Sequence, residues 1–231
     1  MSDENELLTR MSANSWFNAL ETQDQRTLIS GSEALRLRTG EFVFRQGDGP
    51  GGIYGLVNGS LKVSTLREDG REAILAVLEA GNWFGEASAI DGLPRSHDVA
   101  AVGPAELLRV EPRVFEELML SASFARAIAM LQAMHIRAAY ASLEDARLRP
   151  TRAQIARRLV RLARGDVSLE PTERHTLTVT HDTLAMMVGV TRQTLALELK
   201  AMANEGAVAL GYGRIDIVSM EKLTAIAREE S

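Results

Sequence analysis

The sequence predicts an α+β chain of two unlike parts: many short strands first, then helices closed by a β-hairpin. Three observations carry this. Between residues 36 and 110, short apolar stretches alternate with glycines at Gly40, Gly47, Gly51-Gly52, Gly59, Gly70, Gly81 and Gly92. Turn signals at intervals of about 8–12 residues suggest a β-sandwich, barrel or roll. From residue 112 the apolar residues recur every three or four positions, the period of a helix. Near the C-terminus, two short apolar stretches flank Gly211-Tyr212-Gly213 and read as a hairpin.

Taken in order, residues 1–35 are expected to be helical, with Trp16, Phe17 and Leu20 packing one face down. Phe42-Val43-Phe44, Leu61-Lys62-Val63 and Ala73 to Leu78 read as strands. Asp69-Gly70 reads as a hairpin turn, because glycine accepts a positive φ. Residues 112–148 read as one helical region, opened by Pro112, whose missing N–H costs nothing at a helix start. Its stripe of Ala127, Leu131, Met134, Ala138, Ala141 and Leu148 suits either packing on its own domain or a seam between two helices. Pro150 breaks the chain. The expected division is therefore 1–112, a long helix over 113–149, and a C-terminal domain over 150–231. In that last domain a helix over 151–165 ends at Gly165-Asp166, and a loop runs to about Leu177. Helices then start at Thr180 and Arg192, Gly206 stops the second, strands Ala207–Leu210 and Arg214–Val218 follow, and a short helix closes the chain over 219–228.

Composition narrows the function classes. The 231 residues are 45 % hydrophobic, enough for two cores, and include no cysteine. Disulfides, thiolate nucleophiles, cysteine-bound zinc and iron–sulfur clusters are thereby excluded. The acidic N-terminus is no signal peptide, and Arg126 and Arg137 interrupt the longest apolar run, so a soluble cytoplasmic protein without a membrane span is expected. The net charge of −5 is unevenly spread: residues 150–231 carry 11 Lys/Arg against 10 Asp/Glu, residues 1–149 carry 15 against 21. From Arg147 to Arg164 there are seven arginines and no acid, a basic stripe compatible with DNA.

The run from Thr180 to Leu195 carries the most specific pattern in the second part. Ala185 is small where two helices must cross, Gly189 lies four residues on at a turn, and Val190 and Leu195 supply buried contacts. This is helix-turn-helix spacing, and the hairpin after it makes the winged form. The second helix would enter the major groove by its first turn, Thr191, Arg192, Gln193 and Thr194, with Leu197 one turn later. Arg192 can donate twice to guanine and Gln193 can pair with adenine. Thr180 could bind phosphate by its hydroxyl and backbone N–H. His181 and Asp182 read as surface residues near a helix start.

In the first part, residues 84–99 read Phe84-Gly85-Glu86-Ala87-Ser88-Ala89-Ile90-Asp91-Gly92-Leu93-Pro94-Arg95-Ser96-His97-Asp98-Val99. This stretch resembles the phosphate-binding cassette of cyclic-nucleotide-binding domains. Over about residues 15–225 the whole chain resembles the Crp/Fnr regulator family. The resemblance implies a cyclic-nucleotide-binding-type β-roll, a long dimerisation helix and a winged helix-turn-helix. It also implies a homodimer on palindromic double-stranded DNA that works with RNA polymerase. Within the cassette it gives Arg95 and Ser96 the cyclic phosphate, Glu86 the ribose 2′-OH, and Gly85 a close approach of backbone to sugar. The alternative is that Glu86 and Arg95 simply pair with each other.

The chain also departs from the family's pattern. Where members that bind cyclic AMP place Thr-Ser on the long helix, Ala139 and Tyr140 stand here, and neither repeats that donor–acceptor pattern. The effector is thus left open among cyclic AMP, cyclic GMP and cyclic di-GMP. On the reading helix, Arg192, Gln193 and Leu197 replace Arg, Glu and a second Arg, which predicts a different half-site, with Leu197 against a thymine methyl. Asp98 is expected to point away from the phosphate. The rival readings are a metal enzyme, a haem sensor and a ligand-independent regulator. Only His97 of the four histidines lies in the strand-rich part, so neither a metal site nor catalysis is expected.

Overall fold

The computed structural model describes residues 2–66, 68–70, 72–165 and 174–229. Helices α1 (Ser2–Met11), α2 (Ser15–Asn18) and α3 (Thr22–Ser30) lead into strands β1 (Ser32–Leu37), β2 (Phe42–Phe44), β3 (Ile53–Asn58), β4 (Ser60–Leu66), β5 (Glu72–Glu79) and β6 (Trp83–Phe84). Helix α4 (Glu86–Asp91) separates these from β7 (Asp98–Ala101) and β8 (Ala105–Val110). The strands form two four-stranded sheets, ordered β1-β8-β3-β6 and β2-β7-β4-β5. The helical expectation for residues 1–35 fails at its end, because Ser32–Leu37 pairs antiparallel with Ala105–Val110. Its hydrogen-bonding partner lies far along the chain, where no local periodicity can reveal it.

Strand β3 is covered on both sides, which is why it reads as an unbroken apolar run rather than an alternation. Tyr54 and Leu56 enter a core between the sheets with Leu61, Leu78, Phe84, Val99 and Leu107. Ile53 and Val57 join a second core with Trp16, Phe17, Trp83, Phe124 and Ile128. There Phe17 stacks on Trp83 at 5.5 Å between ring centroids, and Trp16 Nε1 donates to the Ala127 carbonyl at 2.7 Å. A Cβ on Gly52 would lie 1.6 Å from the Val110 carbonyl oxygen, so only glycine lets the chain enter β3 this close to β8.

The single helical region expected over 112–148 is two helices, α5 (Pro112–Met119) and α6 (Ala122–Leu148). Of the two readings of its stripe, packing on the chain's own domain holds for the first two residues. Ala127 and Leu131 turn into the chain's own core, while Leu148 is exposed. The outward apolar row is Met130, Ala133, Ile136, Tyr140 and Leu143, again at intervals of three and four. The sequence stripe mixed residues from two faces.

Most of the first 136 residues form one compact unit, and most residues from Arg137 onward form another. The division falls inside α6; the helix itself ends before Pro150. The second unit continues with α7 (Thr151–Arg164), β9 (Thr176–Leu177), α8 (His181–Val188), α9 (Arg192–Asn204), β10 (Val208–Gly211), β11 (Arg214–Ile217) and α10 (Met220–Ile226). Asp166 and most of the expected loop before Leu177 lie outside the described residues. Ile155, Leu159, Leu184, Leu195, Leu199, Met202, Ile215 and Leu223 make its core, beside a sheet ordered β10-β11-β9.

The arginines of the basic stripe are largely spent inside this unit. Asp145, 7 % exposed, takes Arg157 Nε at 2.7 Å, Arg161 Nη2 at 2.6 Å and Arg149 Nε at 3.3 Å. Arg152 pairs with Glu205 and Glu229. The stripe is therefore a clamp between α6 and α7 more than a surface for DNA. Removing the one carboxylate leaves three cations facing each other, so Asp145→Ala should lower unfolding stability in urea by about 2–3 kcal/mol. This is less than for a fully buried pair because the arginines keep some water. The Arg152 guanidinium also holds the Glu205 carboxyl below its ordinary value of 4.5. A carboxyl lowered by folding stabilises above its unfolded value and loses that contribution as pH falls through the folded one. Thermal melts taken downward from about pH 5 should therefore fall less steeply for Glu205→Gln than for the native chain.

Candidate functional site

The cassette residues meet at the start of α4 and the end of β6. Gly85 is the N-cap of α4 at φ +90°, and a Cβ there would lie 3.0 Å from Arg95 Nη1 and 3.2 Å from the Tyr54 ring. Its missing side chain thus makes room for the Arg95 guanidinium. Arg95 itself is only 4 % exposed. Its Nη1 donates to the Gly85 carbonyl at 2.6 Å and its Nη2 to the Gly52 carbonyl at 2.8 Å. The guanidinium carbon lies 4.3 Å from the Phe44 ring centroid and 5.7 Å from that of Tyr54. Burial pulls the guanidinium below the ordinary arginine range, opposed by nearby Tyr54, Glu86 and Asp48. Among the described residues no carboxylate forms an ion pair with it; its partners are carbonyl dipoles and ring faces.

Glu86, 5 % exposed, answers to different partners. Its Oε1 accepts from Gln132 Nε2 and from His135 Nδ1, each at 2.9 Å. A carboxylate only accepts, so His135 carries its proton on Nδ1. Glu86 and Arg95 do not bond each other, which removes the reading of a self-contained ion pair. Ser96 is exposed, its Oγ 2.9 Å from His97 Nδ1. Asp98 accepts the Gln46 amide at 2.7 Å. Ala139 and Tyr140 are exposed on α6, Tyr140 at 68 %.

In the second unit the two helix starts share one chemistry. Thr180 Oγ1 accepts the Thr183 amide at 3.1 Å, and Thr191 Oγ1 accepts the Thr194 amide at 3.1 Å. The two hydroxyls, of which Thr180's is expected from the sequence to bind phosphate, thus cap α8 and α9. Gly189 turns the chain between them at φ +79°. Arg192, Gln193 and Leu197 stand exposed along the start of α9, Leu197 at 71 %. Arg192 Nη1 lies 3.4 Å from Asp182 Oδ2, so Asp182 steadies the arginine at the helix start. Tyr212 projects fully exposed from the tip of the β10–β11 hairpin.

Comparison with known proteins finds relatives for both units. A model for the cyclic nucleotide-binding domain matches residues 34–122, and one for the Crp-like helix-turn-helix domain matches residues 153–226. The chain belongs to the Crp/Fnr family of transcription regulators. The cyclic AMP receptor protein of Thermus thermophilus is 29 % identical, over 91 % of this chain and 95 % of its own length. Among solved structures, FixK2 from Bradyrhizobium japonicum superposes with a TM-score of 0.76 at 16 % identity, covering 87 % of this chain and 99 % of its own. The c-di-GMP responsive global regulator CLP of Xanthomonas campestris gives 0.72 at 19 %, covering 86 % and 100 %. These structures establish the fold.

This Crp/Fnr regulator is thus a DNA-binding protein with a nucleotide-type cassette in its strand-rich unit. No described helix is long and apolar enough to cross a membrane. Sequence reasoning missed Phe44, Tyr54 and Gly52 around Arg95, and Gln132 and His135 around Glu86. The first three look like ordinary strand residues. The last two carried a usable signal, polar side chains one turn apart in the otherwise apolar stretch from Ala127 to Ile136. Removing the cap by Thr191→Ala should lower unfolding stability by about 1 kcal/mol. Arg192→Ala should leave it within about 0.5 kcal/mol, because an exposed pair contributes little. Chemical denaturation of the two variants separates these effects.

Proposed function

We propose that this regulator is a homodimer gated by a cyclic nucleotide or cyclic dinucleotide whose phosphate binds at Arg95. The observation that carries the reading is the Arg95 guanidinium, buried among rings and carbonyls without an ion-paired carboxylate. A buried charge in that state favours an anion, and a guanidinium has more N–H donors than two carbonyls use. Ser96 adds its hydroxyl and N–H to the phosphate, Gly85 admits the sugar, and Glu86 takes a sugar hydroxyl. The names of the relatives include both cyclic AMP and c-di-GMP, so both ligand classes are candidates.

At the other end Arg192 and Gln193 read base edges, Leu197 meets a thymine methyl, and the starts of α8 and α9 at Thr180, Thr191 and Thr194 offer backbone N–H groups to phosphates. The outward row from Met130 to Leu143 supports a second copy packing along α6. Two recognition helices then meet a palindromic site about one DNA turn apart, and ligand binding shifts the population toward that arrangement. The protein works in the cytoplasm with RNA polymerase and catalyses no reaction.

Calorimetric titration with cyclic AMP, cyclic GMP and cyclic di-GMP tests the sensor. One of them should bind in the micromolar range, weakened at least about tenfold in Arg95→Ala. No binding by any, with tight salt-dependent DNA binding by the free protein, would overturn gating by these ligands and leave a ligand-independent regulator. On DNA, Arg192→Ala should cost about 1–3 kcal/mol on the cognate site and relax selectivity at one base pair, read by competition binding at fixed salt.

A further inference from the structure

The Glu86 carboxylate is buried, and a buried carboxylate needs partners that hold both its charge and its orientation. Both hydrogen bonds it receives from α6 go to the same oxygen, Oε1: Gln132 Nε2 at 2.9 Å and His135 Nδ1 at 2.9 Å. Neither engages Oε2. Gln132 and His135 lie three residues apart, so they stand on one face of α6 and grip the carboxylate together. The result is a carboxylate held at one oxygen, with neither of these donors on the other.

We infer that Gln132 and His135 are positioning residues that make the cassette select ribose over deoxyribose nucleotides. They anchor Glu86 by Oε1, so that Oε2 accepts the sugar 2′-OH without rearrangement. The inference rests on the cyclic-nucleotide reading of Arg95 and adds the source of sugar selectivity. A ligand hydroxyl donating to a pre-oriented carboxylate makes a charge-assisted bond, and a 2′-deoxy ligand leaves that acceptor unmet. When the carboxylate is free to turn, part of this bond's advantage goes into ordering it, and the two sugars bind more alike.

The test uses the full-length protein and whichever of cyclic AMP, cyclic GMP or cyclic di-GMP it binds, each beside its 2′-deoxy analogue. In the native protein the ribose form should bind about tenfold or more tightly than the deoxy form. Gln132→Ala and His135→Ala should each bring the two affinities closer together, mainly by weakening the ribose form, with the thermal midpoint near the native value. His135→Asn, whose amide can donate from nearly the place of Nδ1, should keep most of the discrimination. Arg95→Ala should weaken both sugars alike. A ribose-to-deoxyribose ratio unchanged in both alanine variants, while nucleotide binding persists, would overturn the positioning role and leave the cyclic-nucleotide reading intact. No binding of either sugar by the native protein would overturn that reading and this inference with it.

Discussion

A guanidinium removed from water is the constraint around which the first unit is arranged. Arg95 cannot shed its proton at any ordinary pH, so its surroundings must accommodate a permanent charge. They do so with two backbone carbonyls and two aromatic faces. This requires the chain to bring Gly52 and Gly85 within reach of one side chain. A Cβ would collide with the β8 backbone at Gly52 and press closely on the guanidinium at Gly85, whose φ of +90° also favours glycine. The tight entry into β3 and the left-handed start of α4 are what bring the two carbonyls of Gly52 and Gly85 onto the buried arginine.

Much of this was legible beforehand, and the failures have physical causes. Elements set by short-range chemistry read correctly: Thr180 caps its helix, Gly189 takes the left-handed turn, and Gly206 has φ +73° after α9. Phe42–Phe44 and Arg192–Asn204 came out with their expected bounds. Two short strands decided by distant partners did not. Strand β1 exists because β8 is there to pair with, and β9 because β11 is. Helix α4 is hidden inside a stretch whose sequence is dominated by the demands of the cassette.

The site shows the same split. Arg95, Glu86 and Gly85 announce themselves by residue type and spacing, but the company each keeps does not. Pairing Glu86 with Arg95 is the natural guess from sequence, since opposite charges a few residues apart attract. The structure gives each a separate answer, because α6 brings two neutral or weakly basic donors to the carboxylate while the rings surround the arginine. The arginines from Arg147 to Arg164 misled in the opposite sense. A run of like charges suggests an external polyanion, yet a single acid a few residues earlier, Asp145, gathers three of them inward.

That clamp bears on how such regulators could be recombined. Pro150 looks like the natural seam for exchanging sensor and reader modules, since a helix stops there. Asp145 and Arg149 lie before the seam, and Arg157 and Arg161 after it. A chimaera spliced at Pro150 would give each parent half of an ion cluster evolved as a whole. A splice after Ile136, where the chain's own contacts divide, would carry the cluster across intact and ask the new host only to continue a helix.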